Sequence, residues 1–128
     1  MSKKIVIDSS AILALLLKEK GYEIVERKLE HALISSVNFS EILTVSQRNG
    51  FKLEETETLF KNILSNIVDF DSEQASLAAS LDKFTKKHGL SFGDRACLAL
   101  AQYKSCSVLT ADKVWKKLDI NIDIQIIR

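Results

Sequence analysis

The first strand pattern of the chain is Lys4-Ile-Val-Ile-Asp8, a short apolar run that ends in a carboxylate and leads into helical spacing. Four more short runs of this kind follow it. The first four of the five are mostly apolar, as is typical of strands that are covered on both faces of a sheet. The predicted strands span residues 4–8, 32–35, 66–69, 107–110 and 122–127.

Longer segments with helical spacing separate these runs. Gly50 follows Arg48-Asn49 and Gly89 follows Lys86-Lys87-His88, and a basic last turn before glycine is typical of a helix C-terminus. Gly21 is predicted to join two helices, over residues 11–20 and 22–30. Strands that alternate with helices predict a parallel-sheet α/β domain with helices on both faces.

Two further helices are predicted in the second half of the chain. One spans residues 94–104, where Cys97 has an apolar helical spacing and is expected to be a core residue rather than a nucleophile. The other spans residues 72–88. Its core-facing side chains are predicted to be Ala75, Ala78, Ala79 and Leu81.

The composition is that of a folded domain. With 128 residues, 46% of them hydrophobic, the chain can bury a sizeable core and is not predicted to be disordered. We interpret residues 1–128 as one domain. The net charge of +1 gives no overall argument for nucleic-acid or membrane binding. Two cysteines, no signal peptide and no membrane-spanning run lead us to expect a cytoplasmic protein with reduced thiols and no membrane partner.

Acidic side chains lie where the strands of the predicted sheet end. Asp8 closes the first strand, Glu41 lies one turn into the helix after the second, and Asp112 follows the fourth. Asp94 opens the helix that leads into the fourth strand. The carboxyl ends of parallel strands meet at one edge, where such folds bind ligands. Clustered carboxylates usually persist because a divalent cation neutralises them, and oxygen ligands favour Mg²⁺ or Mn²⁺.

Each acid also has an ordinary structural explanation. Asp8 occupies a position typical of a helix N-cap, and Ser91-x-x-Asp94 matches a capping box. Thr110-x-Asp112 is suited to a helix start, where the helix dipole favours a carboxylate. Glu41 is also consistent with a solvated helix residue. Spacing alone does not distinguish these structural explanations from a metal-binding role.

The charges are unevenly distributed along this nearly neutral chain. Between residues 83 and 117 there are eight Lys and Arg residues, and the acids in that span are Asp94 and Asp112. A basic segment around two acids is suited to a polyanionic substrate, although solvated helix faces give the same pattern. The basic residues are Lys83, Lys86, Lys87, Arg95, Lys104, Lys113, Lys116 and Lys117.

Four motifs resemble the acidic motifs of PIN-domain ribonucleases, and above all the small VapC-type toxins of prokaryotic toxin–antitoxin pairs. Their order and spacing and the chain length agree with that family. The resemblance implies a Rossmann-like, three-layer α/β/α fold with a central, mainly parallel sheet of about five strands. The motifs are Ile5-Val-Ile-Asp-Ser-Ser-Ala11, Val37-Asn-Phe-Ser-Glu-Ile-Leu43, Leu90-Ser-Phe-Gly-Asp-Arg-Ala-Cys-Leu-Ala-Leu-Ala101 and Val108-Leu-Thr-Ala-Asp-Lys-Val-Trp115.

The same resemblance implies an activity and its residues. It implies an acidic pocket that binds Mg²⁺ or Mn²⁺ and hydrolyses RNA phosphodiester bonds, in a homodimer that a cognate antitoxin inhibits. Thr110 matches a hydroxyl position beside the last acid, and Ser9 matches a small polar position after the first. The implied catalytic and metal-binding acids are Asp8, Glu41, Asp94 and Asp112.

Two other functions are compatible with parts of the pattern. A phospho-receiver domain has a similar length and layering, but it requires an acidic pair after the first strand, whereas Ser9-Ser10 follow Asp8. A PIN-like module that binds RNA or a protein without cutting remains open, because the acids alone do not establish catalysis.

Overall fold

A five-stranded sheet forms the centre of the protein in the computed structural model, which describes residues 4–64 and 66–128. Every strand pairing in it is parallel. Each strand falls within the run that was predicted for it, so the strand predictions are confirmed. The strands are β1 (Ile5–Ile7), β2 (Ala32–Ser35), β3 (Asn66–Val68), β4 (Ser107–Thr110) and β5 (Ile124–Ile126).

The strand order is β3-β2-β1-β4-β5, with β1 in the middle. The order reverses at β1, so β1 and β4 lie side by side, with Val6 paired with Val108 in register. This is the order of a Rossmann-type sheet, whereas receiver domains have the order 2-1-3-4-5. The phospho-receiver alternative is therefore wrong.

The predicted helices are present with shifted boundaries. The first begins earlier than predicted, at Ser9, and the last begins at Phe92. Gly21 joins the first two helices with φ +93, and a side chain there would meet the carbonyl oxygen of Ile127. The helices are α1 (Ser9–Leu17), α2 (Tyr22–Lys28), α3 (Ser36–Arg48), α4 (Leu53–Ile63), α5 (Ser72–Ser80), α6 (Asp82–Thr85) and α7 (Phe92–Lys104), with 3-10 turns at Leu29–His31, Lys86–His88 and Lys113–Lys117.

The prediction of a single helix over residues 72–88 is wrong. The segment is divided into α5, α6 and a 3-10 turn. Helix α5 ends at its C-cap Leu81, where ψ is −13° (φ −79°), and side-chain hydroxyls compete with backbone N–H groups for the helix carbonyls. Ser80 Oγ donates to the carbonyl of Leu77 at 2.7 Å. The prediction that Ala75 and Ala79 face the core is also wrong, since both are exposed.

Helices cover both faces of the sheet, as predicted for a three-layer α/β/α fold. Side chains alternate along β1, so that Ile5 and Ile7 join the core under α1 to α4 while Val6 joins the core under α5 and α7. Cys97 is fully buried in the second core, as predicted. In the described part of the chain, no helix has the length and apolar character needed to cross a bilayer.

Candidate functional site

Acidic and hydroxyl side chains meet at the carboxyl edge of the sheet, around the point where the strand order reverses. Asp8 directly follows β1, and Thr110 is the last residue of the neighbouring β4. Glu41 is carried by α3, which starts as β2 ends, and Asp94 lies in the first turn of α7. Ligands bind beyond such switch points in open α/β sheets.

Asp8 is the buried centre of this group, with 2% of its surface exposed. It holds the N-cap position of α1, but its side chain makes no cap hydrogen bond, so the N-cap explanation does not account for its carboxylate. Its Oδ2 accepts hydrogen bonds from Ser10 Oγ at 2.6 Å and Thr110 Oγ1 at 2.9 Å. Its Oδ1 is buried without a hydrogen-bond partner among the described residues.

The environment of Asp8 disfavours its charge. Burial raises the pKa of Asp8 from 3.8 to about 6, and the negative charges of Asp94 and Glu41 raise it as well, against the lowering effect of the Ser10 and Thr110 hydroxyls. A carboxylate with this pKa is partly protonated near neutral pH. A cation beside it would favour the ionised form.

Glu41 is held by hydrogen bonds, so it is not the solvated helix residue of the alternative explanation. Its Oε1 accepts from Ser9 Oγ at 2.9 Å and from Asn38 Nδ2 at 2.8 Å. Asn38 also donates to the carbonyl of Gly93 at 2.9 Å, which ties α3 to α7. A Cβ at position 93 would lie 2.5 Å from Glu41 Cδ, so only glycine leaves room for this carboxylate.

Asp94 forms the capping box that its spacing predicts. Its backbone N–H donates to Ser91 Oγ at 3.2 Å, and its Oδ2 accepts from the Ser91 backbone N–H at 2.9 Å. Burial raises the pKa of Asp94, the Ser91 hydrogen bonds lower it, and the charges of Glu41 and Asp112 raise it. Asp94 is therefore both a helix cap and a member of the acidic group.

Asp112 is the exposed member of the group. Its Oδ1 accepts from the backbone N–H of Val114 at 3.0 Å and so caps the following 3-10 turn, as its ordinary explanation predicts. Its own N–H donates to Thr110 Oγ1 at 3.1 Å. Thr110 thereby links Asp112 to Asp8.

The donor chemistry fits a hard divalent cation, whereas the present side-chain positions do not form a closed metal site. Carboxylate oxygens are the ligands that Mg²⁺ and Mn²⁺ favour, and Asp8 Oδ1 is a buried carboxylate oxygen without a hydrogen-bond partner among the described residues. Within residues 4–64 and 66–128, however, no three His, Cys, Asp or Glu side chains converge closely enough to hold an ion. Asp94 and Asp112 each use one oxygen as a cap.

A model of the PIN domain matches residues 5–121 of the chain. The chain belongs to the PIN-domain family. The matched span includes all four acids and all but the end of the fold described above.

Solved structures share the fold of this PIN domain at low sequence identity. DNA-bound VapBC from Salmonella typhimurium matches with a TM-score of 0.73 and 16% identity, over 98% of each chain. VapBC2 from Rickettsia felis, bound to a promoter DNA fragment, matches with a TM-score of 0.71 and 17% identity, over 94% of this chain and 96% of that one. VapBC-5 from Mycobacterium tuberculosis matches with a TM-score of 0.65 and 19% identity, over 98% of each chain. No match is found among curated protein sequences.

Three residues of this PIN domain site were missed in the sequence. Ser10 bonds Asp8, and Asn38 and Gly93 hold and accommodate Glu41. Asn38 was detectable, because it lies three residues before Glu41 and so on the same helix face. No sequence pattern indicates the role of Gly93, because Glu41, which it contacts, lies 52 residues earlier in the chain.

Proposed function

We propose that this PIN domain is a divalent-cation-dependent endoribonuclease and the toxin of a VapBC-type toxin–antitoxin pair. The observation that carries the proposal is the Asp8 carboxylate, which is buried, lacks a partner for Oδ1 and is coupled to two further carboxylates at the switch point of the sheet. Stability alone does not favour such an arrangement, because a buried carboxylate near like charges costs free energy.

In this proposal Asp8, Glu41, Asp94 and Asp112 hold Mg²⁺ or Mn²⁺. A bound ion of this kind supplies a water of lowered pKa and a positive charge beside the phosphate. The hydroxyls of Ser10 and Thr110 favour the ionised form of Asp8 by donating to its Oδ2.

Side chains around Glu41 have a positioning role in the same proposal. Ser9 and Asn38 orient one oxygen of Glu41, and the bond from Asn38 to Gly93 fixes α3 relative to the first turn of α7. Glu41 is then placed either to contact the ion or to orient a water. Pre-oriented ligands of this kind raise both metal affinity and activity.

The proposed partners are an RNA substrate, a cognate antitoxin and a second copy of this chain, in the cytoplasm. The exposed lysines of the basic segment, such as Lys86, Lys87 and Lys113, are suited to contacts with phosphates. The antitoxin partner is supported by the similar VapBC structures, because VapBC-5 is a member of the VapBC family of toxin–antitoxin systems.

The test is cleavage of a labelled structured RNA by antitoxin-free protein with Mg²⁺, with Mn²⁺ and with EDTA. We expect metal-dependent cutting that is lost in Asp94→Asn, because Asn retains a capping side chain but removes the charge. Asp71→Asn is the matched control, since Asp71 caps a different helix, α5, through Gln74 N at 2.9 Å. Equal cutting by both variants would place Asp94 outside the mechanism.

A non-catalytic RNA-binding module is the second candidate. The observation in its favour is that Asp94 and Asp112 act as caps, and that no three such side chains among the described residues are close enough to hold an ion. It predicts RNA binding without cutting under any of the three conditions, and no heat of binding when Mg²⁺ or Mn²⁺ is titrated into the protein.

A further inference from the structure

Phe92 is the most exposed of the large hydrophobic side chains in the described part of the chain, with 51% of its surface accessible. It is the first residue of α7 and lies two positions before Asp94. A single exposed apolar side chain is ordinary on a protein surface, so the surroundings of this ring are what distinguish it.

The ring is held rather than loose. Phe70 packs at right angles to it with the ring centroids 5.5 Å apart. The guanidinium of Arg95 lies 5.7 Å from its centroid and is itself anchored, through a hydrogen bond from Nη1 to the carbonyl of Ala78 at 3.0 Å. Arg95 Nε also lies 3.8 Å from Asp82 Oδ1. A fixed aromatic surface loses little entropy when a flat ligand stacks on it.

The ring lies on the same edge of the sheet as the acids. Phe70 follows β3, and its N–H donates to Ser36 Oγ at 3.1 Å, just beyond the end of β2. In the strand order, β2 alone separates β3 from β1, which carries Asp8 at its end. Two strand spacings correspond to about 10 Å. The aromatic pair thus flanks the acidic group on its β3 side.

The side chains around the ring match an unpaired nucleotide. Aromatic faces stack on bases, and Arg adds a cation that attracts both the base and the phosphate. The exposed Lys86 and Lys87 lie in the 3-10 turn just before α7. In double-stranded RNA the bases are stacked inside the helix and are not available to such a ring.

We propose that Phe92 is a stacking platform that positions one unpaired RNA base next to the acidic site. This proposal rests on the proposed function and adds one residue that contacts the RNA at the same site. Phe92 is a positioning residue, which sets the register of the strand relative to Asp8.

The test is binding of a labelled single-stranded RNA in EDTA, where no metal-dependent cutting occurs, measured by fluorescence anisotropy. We expect Phe92→Leu to weaken binding by about 5- to 150-fold, the range that loss of one base–aromatic stack gives. Phe92→Tyr keeps the ring and should bind like the unmodified chain. Duplex RNA should bind all of these proteins equally.

Tyr103→Leu is the matched control. Tyr103 is exposed to 38%, carries the Lys104 ammonium 5.5 Å from its ring centroid, and lies at the other end of α7, roughly 16 Å away along the helix. We expect it to leave RNA affinity unchanged. A second measurement uses RNA with one abasic nucleotide moved along the strand. The unmodified chain should bind this RNA more weakly when the abasic nucleotide occupies one particular position. Phe92→Leu should show no such position, because it lacks the ring on which the base stacks.

The outcomes separate this proposal from the proposed function. Unchanged RNA affinity in Phe92→Leu, with metal-dependent cutting intact, overturns the stacking platform and leaves the nuclease. Unchanged affinity together with altered self-association assigns the ring to a protein interface and also overturns it. If the unmodified chain neither binds nor cuts RNA, both proposals fail.

Discussion

Gly93 in the first turn of α7 packs directly against the carboxylate of Glu41 on α3. The contact leaves no space for a Cβ, yet Glu41 is the end of a flexible side chain that can move aside. Its present position depends on hydrogen bonds from Ser9 and Asn38 to Oε1. The absence of one methyl group thus determines where a carboxylate of the candidate site lies.

Gly93→Ala should therefore impair activity more than stability. The added methyl displaces Glu41 and breaks its two hydrogen bonds, while alanine within a helix gains about 1 kcal/mol over glycine. We expect a folded protein with a similar melting temperature and roughly 10- to 100-fold slower RNA cleavage. In a double-mutant cycle, Gly93→Ala should add little to Glu41→Ala. Full activity in Gly93→Ala would show that the orientation of Glu41 is unimportant.

Asp8 should make the metal-free protein less stable as pH rises. Its pKa is about 6 in the fold against 3.8 ordinarily, so the folded state binds the proton more tightly. The stabilising contribution of the protonated form is complete below pH 3.8 and is lost as pH rises through about 6. The difference corresponds to roughly 3 kcal/mol as an upper limit.

Asp8→Asn tests this pH dependence, because it removes the charge and nearly preserves the shape. In EDTA, denaturant unfolding should show the variant to be more stable than the unmodified chain at pH 7.5, and the gap should shrink towards pH 4. A constant gap across this range would mean that Asp8 does not carry the raised pKa.

Divalent cations should stabilise the protein through the same carboxylate. Burial and repulsion by Asp94 and Glu41 raise the pKa of Asp8, and a bound Mg²⁺ or Mn²⁺ would offset both effects by favouring the ionised carboxylate. A ligand at 100 times its dissociation constant adds about 2.7 kcal/mol, which raises the melting temperature of a domain this size by several degrees. Differential scanning fluorimetry should show this increase in the unmodified chain and not in Asp8→Asn. An equal increase in both would indicate binding elsewhere.

The strands and the edge location of the acids could be predicted because they depend on local sequence. Each strand is a short, mostly apolar run. Asp8 directly follows β1, and Asp112 comes two residues after the end of β4. The strand order was not predictable in this way, since β1 pairs with β4 across about a hundred residues. The same holds for the environment of Asp8, whose hydroxyl partner Thr110 is 102 residues away.

The errors have a common origin in helix packing. Periodicity placed Ala75 and Ala79 in the core, but a small apolar residue fits either face of a helix. The buried position next to them is Gln74, which is fully inaccessible because its Nε2 donates to the carbonyl of Asp69 at 2.9 Å. A pattern of hydrophobicity does not detect a buried polar residue that is hydrogen-bonded to a backbone carbonyl.

Thr110→Val should raise the pKa of Asp8 further, because it removes a hydroxyl that donates to Oδ2 and lowers that pKa. Ionised Asp8 then loses roughly 1.5–3 kcal/mol of charge-assisted hydrogen bonding, and the protonated form loses less. We expect a stability loss that is larger at pH 7.5 than at pH 4.5, and an acid limb of the cleavage–pH profile that moves to higher pH.

The matched control for Thr110→Val is Thr56→Val. Thr56 is likewise buried, but its hydroxyl donates to the carbonyl of Lys52 at 2.8 Å, so no ionisable group depends on it. Its stability loss should be the same at both pH values. Thr110 also accepts the N–H of Asp112, and that loss is independent of pH as well. The pH-dependent part of the Thr110→Val effect therefore reports on Asp8 alone, and its absence would show that the hydroxyl does not control the ionisation of this carboxylate.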